Sequence, residues 1–152
     1  MKAVTYLAAF TLGSAAIVGS AFGREPKGWI TDLDRAFARA KEEKKNVLVD
    51  FTGSTWCPPC IEMHKQVFSK KEFVDAAAKD FILVELDFPE DQSELRAERE
   101  KQAEKYRVEG FPTIVLFDSE GKEFHRFYGN EYPDTPSFLR HLSESLERKD
   151  LD

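Results

Sequence analysis

Phe51-Thr52-Gly53-Ser54-Thr55-Trp56-Cys57-Pro58-Pro59-Cys60 holds both cysteines of the chain, separated by two prolines. A strand-like run, Val47-Leu48-Val49-Asp50-Phe51, leads in, and a helical pattern of Ile61, His64, Val67 and Phe68 leads out. A Cys-x-x-Cys at a strand-to-helix turn is a site for thiol–disulfide exchange. A helix opening at Cys57 puts that sulfur beside unpaired N–H groups and the positive end of the helix dipole. Both favour thiolate, the attacking form. Cys60 lies one turn further on and is expected to be buried. Cys57 is therefore the expected nucleophile and Cys60 the resolving thiol, with Cys57–Cys60 as the redox-active disulfide.

Proline is tolerated in the first helical turn, where its missing N–H has no partner anyway. With Cys57 as N-cap, Pro58 and Pro59 remove two N–H groups that would otherwise reach its sulfur. Neither is a cation. The thiolate is then only moderately stabilised. The expected potential lies nearer thioredoxin's roughly −270 mV than the roughly −120 mV of the oxidant DsbA.

The chain has 152 residues, enough for one domain with a core. A 41% hydrophobic and 33% charged composition reads as globular, and a net charge of −6 argues against nucleic acid as a partner. Lys2 gives a short basic start, Ala3 to Phe22 carries no charge, and small residues cluster at Gly19, Ser20, Ala21 and Gly23. Residues 1–23 thus read as a secretory signal peptide cleaved after Ala21 or Gly23, so the protein is expected to be periplasmic or otherwise exported. The alternative is an uncleaved N-terminal membrane anchor. In an oxidising compartment a lone cysteine pair reads first as a structural staple. A two-residue gap closes too small a loop for that, so the spacing favours active chemistry.

Residues 24–30 form an expected linker, with Trp29 and Ile30 as a short strand or packing plug, before a domain over 31–148. Thr31 reads as the N-cap of a helix over Asp32 to Lys44. Val47 to Thr52 reads as a buried central strand. The cysteine helix runs to about Phe68, and Ser69 caps a second piece, Lys70 to Lys79. Phe81 to Phe88 is a strand. Ser93 to Tyr106 is a charged helix with Leu95, Arg99, Ala103 and Tyr106 inward. Thr113 to Phe117 and Lys122 to Tyr128 are strands joined by an Asp118–Gly121 turn. Ser137 to Leu146 is the last helix. Two strand–helix–strand units predict a parallel core, to which the late hairpin adds an antiparallel edge: an α/β fold with a central mixed sheet flanked by helices.

Gly110-Phe111-Pro112-Thr113 precedes the third strand. With Trp-Cys-x-x-Cys about fifty residues upstream, it resembles the thioredoxin fold. The Phe-Thr-Gly-Ser-x-Trp-Cys approach is similar to exported thioredoxin-like proteins and DsbD-type reductase domains. Cys-Pro-Pro-Cys is similar to reductants serving cytochrome c maturation. The resemblance covers roughly Thr31 to Leu146. It implies that Pro112 is cis and lies against the cysteines, and that Phe111 offers its backbone to a client chain. It also implies that Trp56 shields the sulfurs. Trp56, Pro58, Pro59, Phe111 and Pro112 are the expected client-binding residues. The family's buried acid, which assists proton transfer to the resolving cysteine, matches Asp50. The approach here is one residue longer than thioredoxin's, so a bulge is needed to keep Asp50 inward. The family's lysine partner of that acid has no match; the nearest strand positions are Leu83 and Glu85.

These readings converge on a thiol–disulfide oxidoreductase that reduces disulfides in exported client proteins. It needs no cofactor, works as a monomer, and is recycled by a reduced thiol donor protein, a membrane thiol carrier being one candidate. Two alternatives stay open. One is an oxidase or isomerase using the same cysteines. The other is a metal-binding chaperone using Cys57, Cys60 and His64, although no fourth ligand is evident. His125 and His141 carry no motif.

Overall fold

The computed structural model describes residues 27–151. The expected signal peptide and residues 24–26 of the expected linker lie outside the described residues. The elements in chain order are α1 (Leu33–Glu43), β1 (Asn46–Thr52), α2 (Pro58–Met63), a π-helical turn (His64–Phe68), α3 (Lys71–Ala77), β2 (Phe81–Asp87), α4 (Glu94–Lys105), β3 (Thr113–Phe117), β4 (Glu123–Tyr128), a 3-10 turn (Gly129–Glu131) and α5 (Thr135–Lys149).

The four strands form one mixed sheet in the order β2-β1-β3-β4. β1 pairs parallel with β2 and antiparallel with β3, and β3 pairs antiparallel with β4. The α/β fold with a mixed, helix-flanked sheet is as expected. The second strand–helix–strand unit is not: β3 runs antiparallel to β1 instead of extending a parallel core. Two features explain this. Ile30 already bridges Val84 on β2, donating to Leu83 O and accepting from Glu85 N–H at 2.8 and 2.9 Å, so the free edge left for β3 is that of β1. The start of α4 and the loop before β3 also both lie at the Trp56 end of the sheet, Arg96 over the Trp56 ring and Phe111 against its edge. β3 therefore enters from the end where β2 leaves.

Strand alternation sorts the core into two layers. Leu48, Leu83, Ile114 and Leu116 face one side and are covered by Met63, Val67, Phe73 and α5. Val47, Val49, Phe51, Val84 and Val115 face the other side, under α1 and Tyr106. In the first layer Phe68, Phe73 and Phe138 meet at 5.3 to 5.5 Å between ring centroids. Burying each such ring stabilises the fold by roughly 1.5–3 kcal/mol. Trp29 joins them, its indole N–H donating to Phe68 O at 3.2 Å.

Local signals fell close to expectation, with shifts. Asp32, not Thr31, caps α1, its carboxylate accepting from Arg35 N–H at 2.9 Å. Lys70, not Ser69, is the N-cap of α3. Leu95 is 45% exposed and lies off the inner stripe of α4, whereas Arg99 is buried. α5 starts earlier, at Thr135, because Asp134 accepts from Ser137 N–H at 2.8 Å. In the hairpin turn Gly121 takes φ 83°, a conformation that glycine adopts without steric cost. Among the described residues no helix is long and apolar enough to cross a membrane.

Candidate active site

The residue extra to the expected approach is absorbed after β1, not within it. The β1–β2 register runs unbroken from Asn46 to Thr52. The chain then turns tightly, Trp56 and Cys57 N–H both donating to Gly53 O at 3.3 and 3.0 Å. Asp87 at the end of β2 ties this turn down, accepting from Ser54 N–H at 2.7 Å and from the Ser54 hydroxyl at 2.9 Å. No bulge is needed: Asp50 keeps the side of Leu48 by simple alternation and is 1% exposed.

Trp56 is held from several directions. Its indole N–H donates to Phe88 O at 2.7 Å. The Arg96 guanidinium lies 6.0 Å from the ring centre and is itself anchored on Pro89 O at 2.8 Å. Gly53 lies beneath; a Cβ there would sit 2.5 Å from Trp56 Cε2. The ring of Phe111 meets Trp56 edge-on at 5.7 Å and packs on Phe88 at 4.7 Å.

Cys57 is the N-cap of α2, with Pro58 and Pro59 opening the helix, and its side chain makes no capping hydrogen bond. Cys57 and Cys60 are joined in a disulfide with Cα atoms 5.2 Å apart. Exposure does not separate them, at 5% and 2%. Position does: Cys57 stands at the helix mouth and Cys60 within the first turn. Ile61 beside them is 43% exposed.

The Phe111–Pro112 peptide is cis. Pro112 O accepts from Gly129 N–H at 3.0 Å, and the 3-10 turn that begins at Gly129 packs on α2. Thr113 Oγ1 donates to Gly110 O at 2.5 Å. Among the described residues the Phe111 backbone makes no hydrogen bond. The loop before β3 and the cysteine turn thus form one corner, joined through Trp56 and Phe111. This corner gathers Trp56, Cys57, Pro58, Pro59, Cys60, Phe111 and Pro112; Asp50 lies lower, on the sheet face that α2 covers.

That lower face is acidic. Asp50 pairs in register with Glu85, and Thr52 with Asp87. Asp50 Oδ1 has no hydrogen-bond partner among the described residues. Burial, with the charges of Glu85 and Asp87 adding to it, holds the Asp50 carboxyl well above the usual carboxylate range. Burial and then Asp87 push Glu85 up to about 7. Sequence reasoning reached Glu85 only as a position where the family's lysine is missing. Asp87, Phe88 and Arg96 went unnoticed, since nothing in their spacing marks them.

His64 points toward β2 and away from the metal role expected of it with the Cys57–Cys60 pair. Its Nδ1 faces Glu85 Oε2 at 3.8 Å, and among the described residues no three His, Cys, Asp or Glu side chains gather as a metal-holding group. His125 and His141, which the sequence left unconnected, meet with Nε2 atoms 3.0 Å apart, and Tyr132 stacks on His141 at 3.9 Å.

A family model described as a thioredoxin-like domain matches residues 33–142. The chain belongs to the thioredoxin-like family. Among its relatives is the disulfide bond reductase DsbH of Chlamydia pneumoniae, 37% identical over 94 residues, or 60% of this chain and 57% of that protein. The thiol:disulfide interchange protein DsbD 2 of Pseudomonas aeruginosa is 35% identical over 117 residues, covering 77% of this chain and 19% of that protein. The match thus spans a little over half of DsbH and about a fifth of DsbD 2. A solved structure of a DsbH oxidoreductase superposes with a TM-score of 0.69 at 27% identity, covering 84% of this chain and 93% of that one.

Proposed function

We propose that the protein is an exported thiol–disulfide oxidoreductase that reduces disulfides in client proteins. What supports this is the Cys57–Cys60 disulfide at the mouth of α2, linked through the Trp56–Phe111 contact to a cis Phe111–Pro112 peptide, with no hydrogen bond on the Phe111 backbone among the described residues. Cys57 thiolate attacks one sulfur of a client disulfide. The client S–S bond breaks, a Cys57–client mixed disulfide forms, and one client sulfur leaves as thiolate. Cys60, deprotonated with Asp50 as acceptor, attacks Cys57 Sγ. The second client sulfur leaves, and two electrons have passed from the dithiol to the client.

An extended client chain fits between the rim formed by Trp56, Pro58 and Pro59 and the free backbone of Phe111, where a strand-like pairing is open. Reduction as the direction is supported by Pro58 and Pro59, which give Cys57 no N–H from the first two helical positions. It is supported also by the name of the related disulfide bond reductase. A reduced thiol donor protein outside the chain must return the electrons. Export rests on the signal-like residues 1–23.

Insulin reduction tests the reading. The chain is expected to reduce insulin, Cys57→Ser to lose all activity, and Cys60→Ser to stop at a mixed disulfide visible on a non-reducing gel. Activity surviving in Cys57→Ser would reject the mechanism. A titration against glutathione fixes the direction: a midpoint near DsbA's roughly −120 mV would make the chain an oxidant instead.

A further inference from the structure

The resolving thiol and the acid on the sheet face that α2 covers are both buried. Cys60 is 2% exposed and Asp50 1%. A proton taken from Cys60 therefore needs a way out. Cys60 and Met63 form the inward stripe of α2, over the sheet face that carries Leu48 and Leu83. On that face Asp50 and Glu85 are register partners on adjacent strands. Glu85 keeps a 12% exposed side chain, and its Oε2 lies 3.8 Å from Nδ1 of His64, which is 49% exposed. His64 N–H donates to Cys60 O, so an intact helical turn places the imidazole one turn beyond the thiol, over the outer end of the acid pair. The separation of 3.8 Å is closed by a small side-chain rotation or one bridging water.

The other groups on this face do not compete. Asp87 is committed to Ser54 through two hydrogen bonds. Thr52 is uncharged, and Leu48, Leu83 and Met63 are apolar. A carboxyl held near neutrality, as burial holds Glu85 at about 7, takes and releases a proton readily under ordinary conditions. Imidazole is the side chain best suited to pass it on.

We propose that Glu85 and His64 form the proton outlet of the site, carrying the proton of Cys60 from Asp50 through Glu85 and His64 to water. The inference rests on the reading of Cys60 as the resolving thiol. In that step the Cys60 proton leaves by the outlet, the Cys60 sulfur bonds to Cys57, and the Cys57–client bond breaks. The departing thiolate takes a proton from solvent, so charge balances. Neither residue forms or breaks a bond to sulfur. Their effect is confined to the resolving step.

The test uses the reduced full chain mixed rapidly with oxidised glutathione in weak phosphate buffer at pH 7, with acid quenching of the disulfides formed. His64→Ala is expected to slow closure of Cys57–Cys60 roughly tenfold, less than the loss of a positioned base because water still reaches the partly exposed Glu85. Added imidazole at constant pH should restore most of that rate. Glu85→Gln should slow the same step without rescue, since the break then lies inside the protein. Attack by Cys57, measured in a Cys60→Ser background, should be unchanged in both. Wild-type closure in His64→Ala, or a loss that imidazole leaves untouched, overturns the outlet. Because glutathione serves as oxidant, failure of the chain to reduce insulin would reject client reduction while leaving this readout intact.

Discussion

Phe111 meets Trp56 edge to face, with ring centroids 5.7 Å apart, and so ties the residue before the cis-proline to the residue before the first cysteine. The two segments are far apart in sequence, and this contact fixes their relative height. Trp56 itself is seated by its bond to Phe88 O and by the bare backbone of Gly53. The site is therefore assembled around an aromatic joint, with the cysteines on one side and the proline loop on the other.

Gly53→Ala probes that joint. The new Cβ would stand 2.5 Å from Trp56 Cε2, and the indole cannot yield without losing Phe88 O. Overpacking of this kind costs about 1–3 kcal/mol. Urea unfolding should show that loss. Insulin reduction should fall by more than the unfolded fraction explains, because Trp56 and Phe111 part. A variant with unchanged activity would mean that the joint does not organise the site.

Glu85→Gln should stabilise the oxidised protein in alkali and leave it unchanged in acid. The folded carboxyl sits at about 7 against an ordinary 4.5. The folded state thus binds more protons between those values. Its contribution is whole below about pH 4.5 and is lost as pH rises through 7. That loss is roughly 3 kcal/mol. Unfolding free energies at pH 4 and pH 8 check it. An equal difference at both pH values would show that Glu85 does not carry the shift.

Much of this site is legible in the chain because its signals are local. Cys57, Pro58, Pro59 and Cys60 declare a helix mouth by composition, and Gly110-Phe111-Pro112-Thr113 marks the loop by resemblance. Strand alternation keeps Asp50 inward once β1 runs unbroken to Thr52. What stayed hidden depends on strand order and cross-sheet register, which no local pattern specifies. Glu85 reaches Asp50 only through the β1–β2 pairing, and Asp87 reaches Ser54 only through the turn that takes up the extra residue. The antiparallel β3 was missed for the same kind of reason. A strand–helix–strand spacing predicts a parallel neighbour, but here Ile30 had already taken the outer edge of β2.

The histidine pair should make the β4–α5 contact sensitive to acid. His125 and His141 Nε2 atoms lie 3.0 Å apart, a distance that admits one shared proton and opposes two. Burial, and then the Arg148 charge, lower His125. Burial, then the His125 and Arg148 charges, lower His141; Glu123, Glu131 and Glu144 nearby oppose this only in part. With folded values below the unfolded one, the contribution is complete above about pH 6.5 and is lost as pH falls through the folded values. Melting of His125→Gln and of the wild-type chain at pH 7.5 and pH 5 should show a smaller acid-induced drop in the variant. Equal drops would show that the pair does not titrate on unfolding.

Pro59→Ala should make the disulfide more oxidising. Pro59 occupies a position whose N–H, in another residue, points back at the N-cap side chain, here the Cys57 sulfur. Restoring that donor stabilises the thiolate of the reduced form and leaves the disulfide largely unaffected. One added hydrogen bond to a charged sulfur, worth about 1.4 kcal/mol after solvent competition, raises the potential by about 30 mV. Pro58→Ala, one residue earlier, presents its N–H less directly and should move the potential by less. Equilibration of each variant with glutathione at fixed pH measures both shifts. If neither moves from wild type, the prolines do not set the potential.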